Sequence, residues 1–195
     1  MRYADVVATD GTVDPRVERS RQVVRQAAVQ ELSEKGYGAF TIESVAARAG
    51  VGKSTIYRHW PDRLTLIVDC FEIFHEQLVP VTDDDSPRER VVRLVRHVAE
   101  IIADSMFSRC IPALIDGAER DQRLREFHHR YNAARRQELV AVLADGIASG
   151  QLPAGLDPEL AALQLLGPIF YRRLMSGEPF PADRVDELVK AVLWR

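Results

Sequence analysis

The chain has 195 residues, 46% hydrophobic and 28% charged, with 7% aromatic and a formal net charge of −3. That balance excludes a disordered or collagenous chain, and no apolar run reaches the roughly 20 residues that a membrane-spanning helix needs. Cys70 and Cys110 stand apart, with no CxxC or Cys/His ligand spacing, and fit buried thiols of a reduced, cytoplasmic protein.

Residues 1–14 contain acidic positions and lack the uninterrupted apolar core of a signal peptide, so they are expected to form a flexible tail. Asp14-Pro15 supplies a cap followed by the proline favoured at a first helical position, and a helix is expected from there to Gly36. Val24, Ala28 and Leu32 form its apolar seam. Phe40 is placed to pack beneath the hairpin that starts at Thr41.

Between Thr41 and Arg63 two short amphipathic patterns meet at a turn of fixed length, which defines a helix-turn-helix. Ile42, Val45, Ala46 and Ala49 recur at helical spacing, and Thr41 is positioned to cap them. Gly50-Val51-Gly52 breaks the helix, and a second helix starts near Lys53. On that helix Ile56 and Trp60 share one side, while Ser54, Thr55 and Arg58 lie roughly opposite, with Lys53, Tyr57 and His59 at the edges. Arg58 has the fork that pairs with a guanine edge, Ser54 and Thr55 hydrogen-bond at close range, and Lys53, Tyr57 and His59 reach phosphates. Periodicity alone weighs a DNA reader and an ordinary solvated helical hairpin equally.

The residues themselves move that balance. Gly36-Tyr37, Thr41-Ile42, Val45-Ala46, Ala49-Gly50-Val51, Ser54 through Trp60 and Arg63-Leu64, with Ala27-Ala28 upstream, closely resemble the DNA-binding domain of the TetR family of transcriptional regulators. Gly52 departs from the usual capping serine, Trp60 from phenylalanine and Arg63 from lysine. The resemblance implies a DNA-binding domain over residues 15–61, with Thr41, Lys53, Ser54, Thr55, Tyr57, Arg58, His59 and Arg63 at the DNA. Charge is distributed accordingly. Residues 16–58 hold eight cations and four anions, a local +4, which leaves −7 for the remainder.

After Pro61-Asp62 a longer helix is expected to about Val79, followed by an acidic linker from Thr82 to Pro87. Further helices are expected over residues 88–104, 108–117, 121–150, 157–175 and 182–194, so residues 62–195 form a helical effector-binding and dimerisation domain and the whole protein is all-α. Leu160 to Phe170 is apolar almost all round, with Pro168 expected to kink it, and the last helix offers a second seam. Leu163, Leu166, Ile169 and Phe170, with Val185, Leu188, Val189 and Val192, either cap the monomer core or, as the resemblance implies, bury against a second copy in a homodimer.

In the resembled family the middle helices surround a pocket whose small-molecule effector moves the connecting helix. Here they carry Phe71, Phe74, His75, Met106, Phe107 and Cys110, continuing through Leu114, Phe127 and Tyr131. Each apolar member also reads as ordinary core, whereas His75, Tyr131 and Asn132 are polar groups that need partners. The expected partners are a double-stranded DNA operator, a second copy and an effector of unknown identity, with no membrane.

Two rivals are weaker. An enzyme finds no HExxH, GxSxG or phosphate-binding glycine loop, His128 and His129 diverge on a helix, and Asp83-Asp84-Asp85 reads as a solvated loop, so no catalytic residue, metal or cofactor is expected. A carrier retaining the hairpin as mere scaffold would have no need of Lys53, Ser54, Tyr57, Arg58 and Arg63.

Overall fold

Helix α1, Pro15–Ala39, is the beam on which the N-terminal unit is built, and its helical course breaks at Gly36 (φ 73, ψ 172), where the sequence places its end. The computed structural model describes residues 15–76 and 86–194, with the side chains of 72–76 excepted. The expected tail, the end of the connecting helix to Val79 and the acidic run Asp83–Asp85 lie outside the described residues.

Thr41 caps α2 (Ile42–Ala49) by accepting from the Ser44 amide at 3.1 Å, while Ser44 reciprocates in a capping box. Such a cap is worth about 1 kcal/mol. Gly50 ends α2 in the left-handed region at φ 67, which a side chain would strain, and its chain reversal feeds α3 (Lys53–Tyr57). Gly52 stands at the N-cap with no side-chain hydrogen bond, as its departure from serine implies. Phe40 and Ile56 are completely buried and Trp60 nearly so, each contributing about 2–3 kcal/mol of burial that fixes the hairpin in the core.

Helix α4 (Arg63–Glu76) then leaves the hairpin, started by Asp62, which accepts from the Thr65 amide and hydroxyl at 2.8 Å each. The larger unit comprises α5 (Pro87–Ala103), α6 (Met106–Arg120), α7 (Gln122–Ala148), α8 (Pro158–Tyr171) and α9 (Val185–Leu193). Ser86, Ser105, Asp121 and Asp157 cap the first four of these. No strand occurs among the described residues, so the all-α expectation holds. Pro168 stands inside α8, and four residues on, at Arg172–Ser176, the helix widens into a π turn.

Packing corrects the expected dimer seam. Val185 and Val189 are completely buried and Val192 nearly so within this single chain, because α9 lies against α5 and α8. Arg96 on α5 pins it through an ion pair with Asp186. Ile169 is likewise buried, so these four are core of the single chain, while Leu166 and Phe170 are half-buried against that core. The outward face of α8 carries Leu160, Leu163, Tyr171 and Met175, which are 52%, 53%, 64% and 74% exposed. Of the expected set Leu163 is exposed, and Leu166, Phe170 and Leu188 are half-buried.

Candidate nucleic-acid interface and effector cavity

The polar side of α3 is open. Lys53, Ser54, Tyr57 and Arg58 are exposed, and Thr55 and His59 are half-buried, while Ile56 and Trp60 turn inward. Lys53 pairs with Glu43 at 3.1 Å, but both side chains are more than half exposed, so water screens the pair and a phosphate can displace it. Arg58 makes no ion pair among the described residues and keeps its whole guanidinium for a partner. Burial, followed by the charges of Arg21 and Arg58, pushes the His59 pKa down, so His59 is neutral near pH 7 and brings a hydrogen bond rather than a charge.

Thr41 and Arg63 also have partners within the chain. The Thr41 hydroxyl oxygen serves the α2 cap, and the Arg63 guanidinium stacks over the Tyr37 ring at 4.4 Å. Much of the expected basic front is also internal. Arg25 forms a fork with Asp69 at 2.8 and 3.2 Å and reaches Glu18 at 2.9 Å, while Asp69 accepts from the Trp60 indole at 2.7 Å. Arg48 and Lys35 close on the buried Glu31 at 2.6 and 2.9 Å. Burial alone would raise the Glu31 pKa, but hydrogen bonds from Lys35, Arg48 and Ser44 bring it down to about 2. These carboxylates fix α2, the end of the hairpin and α4 to α1, and apart from the i,i+4 pair of Glu31 and Lys35 sequence spacing gave no sign of them.

A cavity of about 260 Å³ lies between α5, α6, α7 and α8. Of the residues expected around a pocket, Phe107, Leu114 and Tyr131 line it. Phe71 and Phe127 stand behind, with ring centres 6.2 and 5.7 Å from Tyr131. Cys110 does not line it either, since it is completely buried with its thiol donating to the Val29 carbonyl at 3.4 Å. Met106 is 41% exposed on the surface, because it stands about 100° round α6 from the wall-forming Phe107. The side chains of Phe74 and His75 lie outside the described residues.

Sequence reasoning missed the α5 wall of Leu94, His97, Val98 and Ile101. It also missed the inward turn of Leu166 and Phe170. The signal was present in α8: a helix apolar on all sides needs two different neighbours, and here one is the cavity. The polar lining comes chiefly from α7, as His128, Tyr131, Asn132, Arg135, Arg136 and Glu138.

An all-helical chain that presents a helix-turn-helix with an open polar recognition face, attached to a helical body around an apolar cavity, defines a DNA-binding regulator. The chain belongs to the TetR family of transcriptional regulators. Residues 24–70 match the model for bacterial regulatory proteins of the tetR family, and residues 81–192 that for the tetracyclin repressor-like C-terminal domain. It is 33% identical over 176 residues to the uncharacterized HTH-type transcriptional regulator YdeS of Bacillus subtilis, covering 90% of this chain and 88% of that protein. Its fold is similar to that of the transcriptional regulator FadR from Bacillus subtilis in complex with stearoyl-CoA, with a TM-score of 0.71 at 19% identity over 89% of this chain and 97% of that one. It is also similar to MexZ, a repressor of Pseudomonas aeruginosa, with a TM-score of 0.73 at 19% identity over 90% of this chain and 93% of that one. At these identities the structures establish the fold alone. The family is one of transcriptional regulators, generally not enzymes. Among the described residues no helix is long and apolar enough to cross a membrane.

Proposed function

We propose that the protein is a cytoplasmic, ligand-responsive repressor that binds a near-palindromic operator as a homodimer and is released when a hydrophobic or amphipathic effector fills the cavity. The observation that carries the DNA half is the division of α3, with Ile56 and Trp60 sunk in the core and Ser54, Tyr57 and Arg58 left open. Arg58 reads base edges, Ser54 and Thr55 assist it, and Lys53 and Tyr57 hold phosphates. Arg63 acts by holding the hairpin to the body rather than by reading bases. Residues 15–61 serve as the reading head, and residues 62–195 as the sensor and dimerisation unit.

One five-residue helix has too few base contacts for useful specificity, and pairing two copies supplies the rest. The exposed stripe of Leu160, Leu163, Tyr171 and Met175 on α8, continued by Leu188 and Ala191 on α9, is the face on which a second copy packs. Recognition helices placed roughly 34 Å apart then enter successive major grooves. Repression follows the family. A cavity lined by apolar side chains, and a structural neighbour solved with stearoyl-CoA, support a small-molecule effector.

A footprint on the DNA upstream of the protein's own gene, repeated with sedimentation of wild type and Leu163→Glu, tests this reading. The expected result is a protected near-palindrome bound by two chains, lost in Leu163→Glu together with the dimer. Tight, specific protection by a single chain would overturn it.

A further inference from the structure

The cavity is chemically lopsided. Its α5, α6 and α8 walls are almost wholly apolar, from Leu94 and Val98 through Ile111 to Leu166 and Phe170, apart from His97. The polar side belongs to α7, where Arg135 and Arg136 face a single lining carboxylate, Glu138, and the two arginines are unequally committed. Arg136 pairs with Glu159 at 3.2 Å, a partner outside the cavity wall. Burial and the charge of His129 lower the pKa of His128, which therefore adds no cation near pH 7. Asn132 donates back to the His128 carbonyl at 2.7 Å.

Arg135 differs. Its guanidinium donates to the Tyr131 hydroxyl at 3.1 Å and lies 5.6 Å from the centre of that ring, and it makes no ion pair among the described residues. One nitrogen is spent on orientation, so the planar fork is held at the cavity wall with donors left over. A carboxylate is the group that meets such a fork with two parallel hydrogen bonds.

Volume limits the rest of the molecule. A dry cavity of about 150 Å³ accommodates benzene, with six non-hydrogen atoms, so on the same scale about 260 Å³ holds roughly ten. We propose that this cavity binds a compact amphipathic monocarboxylate, a straight-chain or aryl-alkyl acid of about ten non-hydrogen atoms, with its carboxylate on Arg135 and its apolar body between α5, α6 and α8. A long-chain acyl thioester of a nucleotide carrier would leave most of its length outside this space. The proposal rests on the effector reading given above, and specifies its ligand.

Calorimetry with octanoate, 1-octanol and stearoyl-CoA tests it on the full chain, using wild type, Arg135→Gln and Val98→Phe. Octanoate should bind wild type at least about tenfold more tightly than octanol, since a hydrogen-bonded charge adds that much or more. Arg135→Gln should erase the difference, with far-UV circular dichroism and the melting transition showing that the variant is folded. Val98→Phe, which grows into the cavity, should remove binding of both. Octanol binding as tightly as octanoate, no binding of either, octanoate binding that survives Val98→Phe, or stearoyl-CoA binding more tightly than octanoate would each overturn the proposal. Octanoate bound as described but without effect on protection of the upstream DNA would leave the ligand class standing and overturn the switch.

Discussion

The Tyr37 hydroxyl donates a 2.6 Å hydrogen bond to Oδ2 of Asp121, joining the end of α1 to the turn between α6 and α7 across 84 residues of sequence. Arg63 stacks on the Tyr37 ring from the start of α4, and Arg123 reaches Asp62 at 3.0 Å beside it. Leu114 on α6 and Tyr131 on α7 line the cavity, so two of the four helices that wall it also meet the reading head at Asp121. Burial, then the bond to Asp121, pushes the Tyr37 pKa up to about 12, and that bond holds the Asp121 carboxyl below its usual range. Physical continuity of this kind is a route for coupling, and mutation measures whether it is used.

Tyr37→Phe keeps the ring under Arg63 and removes only the hydroxyl. Stability should fall by about 1 kcal/mol in urea titrations, since a single partly exposed hydrogen bond is lost. Operator affinity without effector should stay near wild type, while the loss of affinity on adding effector should shrink.

Gly117 stands where α6 crosses Tyr37. A Cβ there would sit 2.6 Å from both the Tyr37 ring and the Leu124 side chain. Gly117→Ala should therefore cost about 1–3 kcal/mol through overpacking, despite the better helix propensity of alanine, read as a lower melting temperature. A rise in melting temperature would contradict the packing at this crossing.

Glu31 sets part of the acid limb of stability. Its folded pKa of about 2 lies below the ordinary carboxyl value of 4.5, so its contribution is fully present above about pH 4.5 and is lost as pH falls toward 2. Glu31→Gln should be less stable than wild type at pH 7, by about 2 kcal/mol. The two proteins should converge as the pH approaches 2, and urea titrations across that range provide the check.

Burial pushes both thiols up, to about 12 for Cys110, and each donates to a carbonyl of α1. Neither should react with a thiol-specific reagent at pH 8 while the protein is folded, and both should react in denaturant. Rapid labelling of the native protein would show an opening that the packing does not provide.

The reading head was legible in the sequence because its rules are local. Ile42, Val45, Ile56 and Trp60 repeat at helical spacing, and Thr41 and Gly50 mark the ends of α2 through backbone chemistry that needs no partner. The same was true of the helix break at Gly36. What was not legible depended on which neighbour a face meets. Val185, Val189 and Val192 announce burial, but a helical wheel cannot distinguish α5 of the same chain from a helix of another. Leu166 and Leu163 are three residues apart and equally apolar, yet one lines the cavity and the other faces out. Arg25, Lys35 and Arg48 count as basic surface until Asp69 and Glu31, distant in sequence or concealed in α1, are seen to absorb them.

The most direct measurement is a gel shift of wild type, Arg58→Ala and Tyr57→Phe on the footprinted upstream fragment and on unrelated DNA, at two salt concentrations. Tyr57→Phe should weaken binding to both DNAs alike, whereas Arg58→Ala should lose the preference for the upstream fragment, by about tenfold or more per paired site. Unchanged affinity and unchanged preference in both variants would contradict the assignment of α3 as the helix that reads DNA.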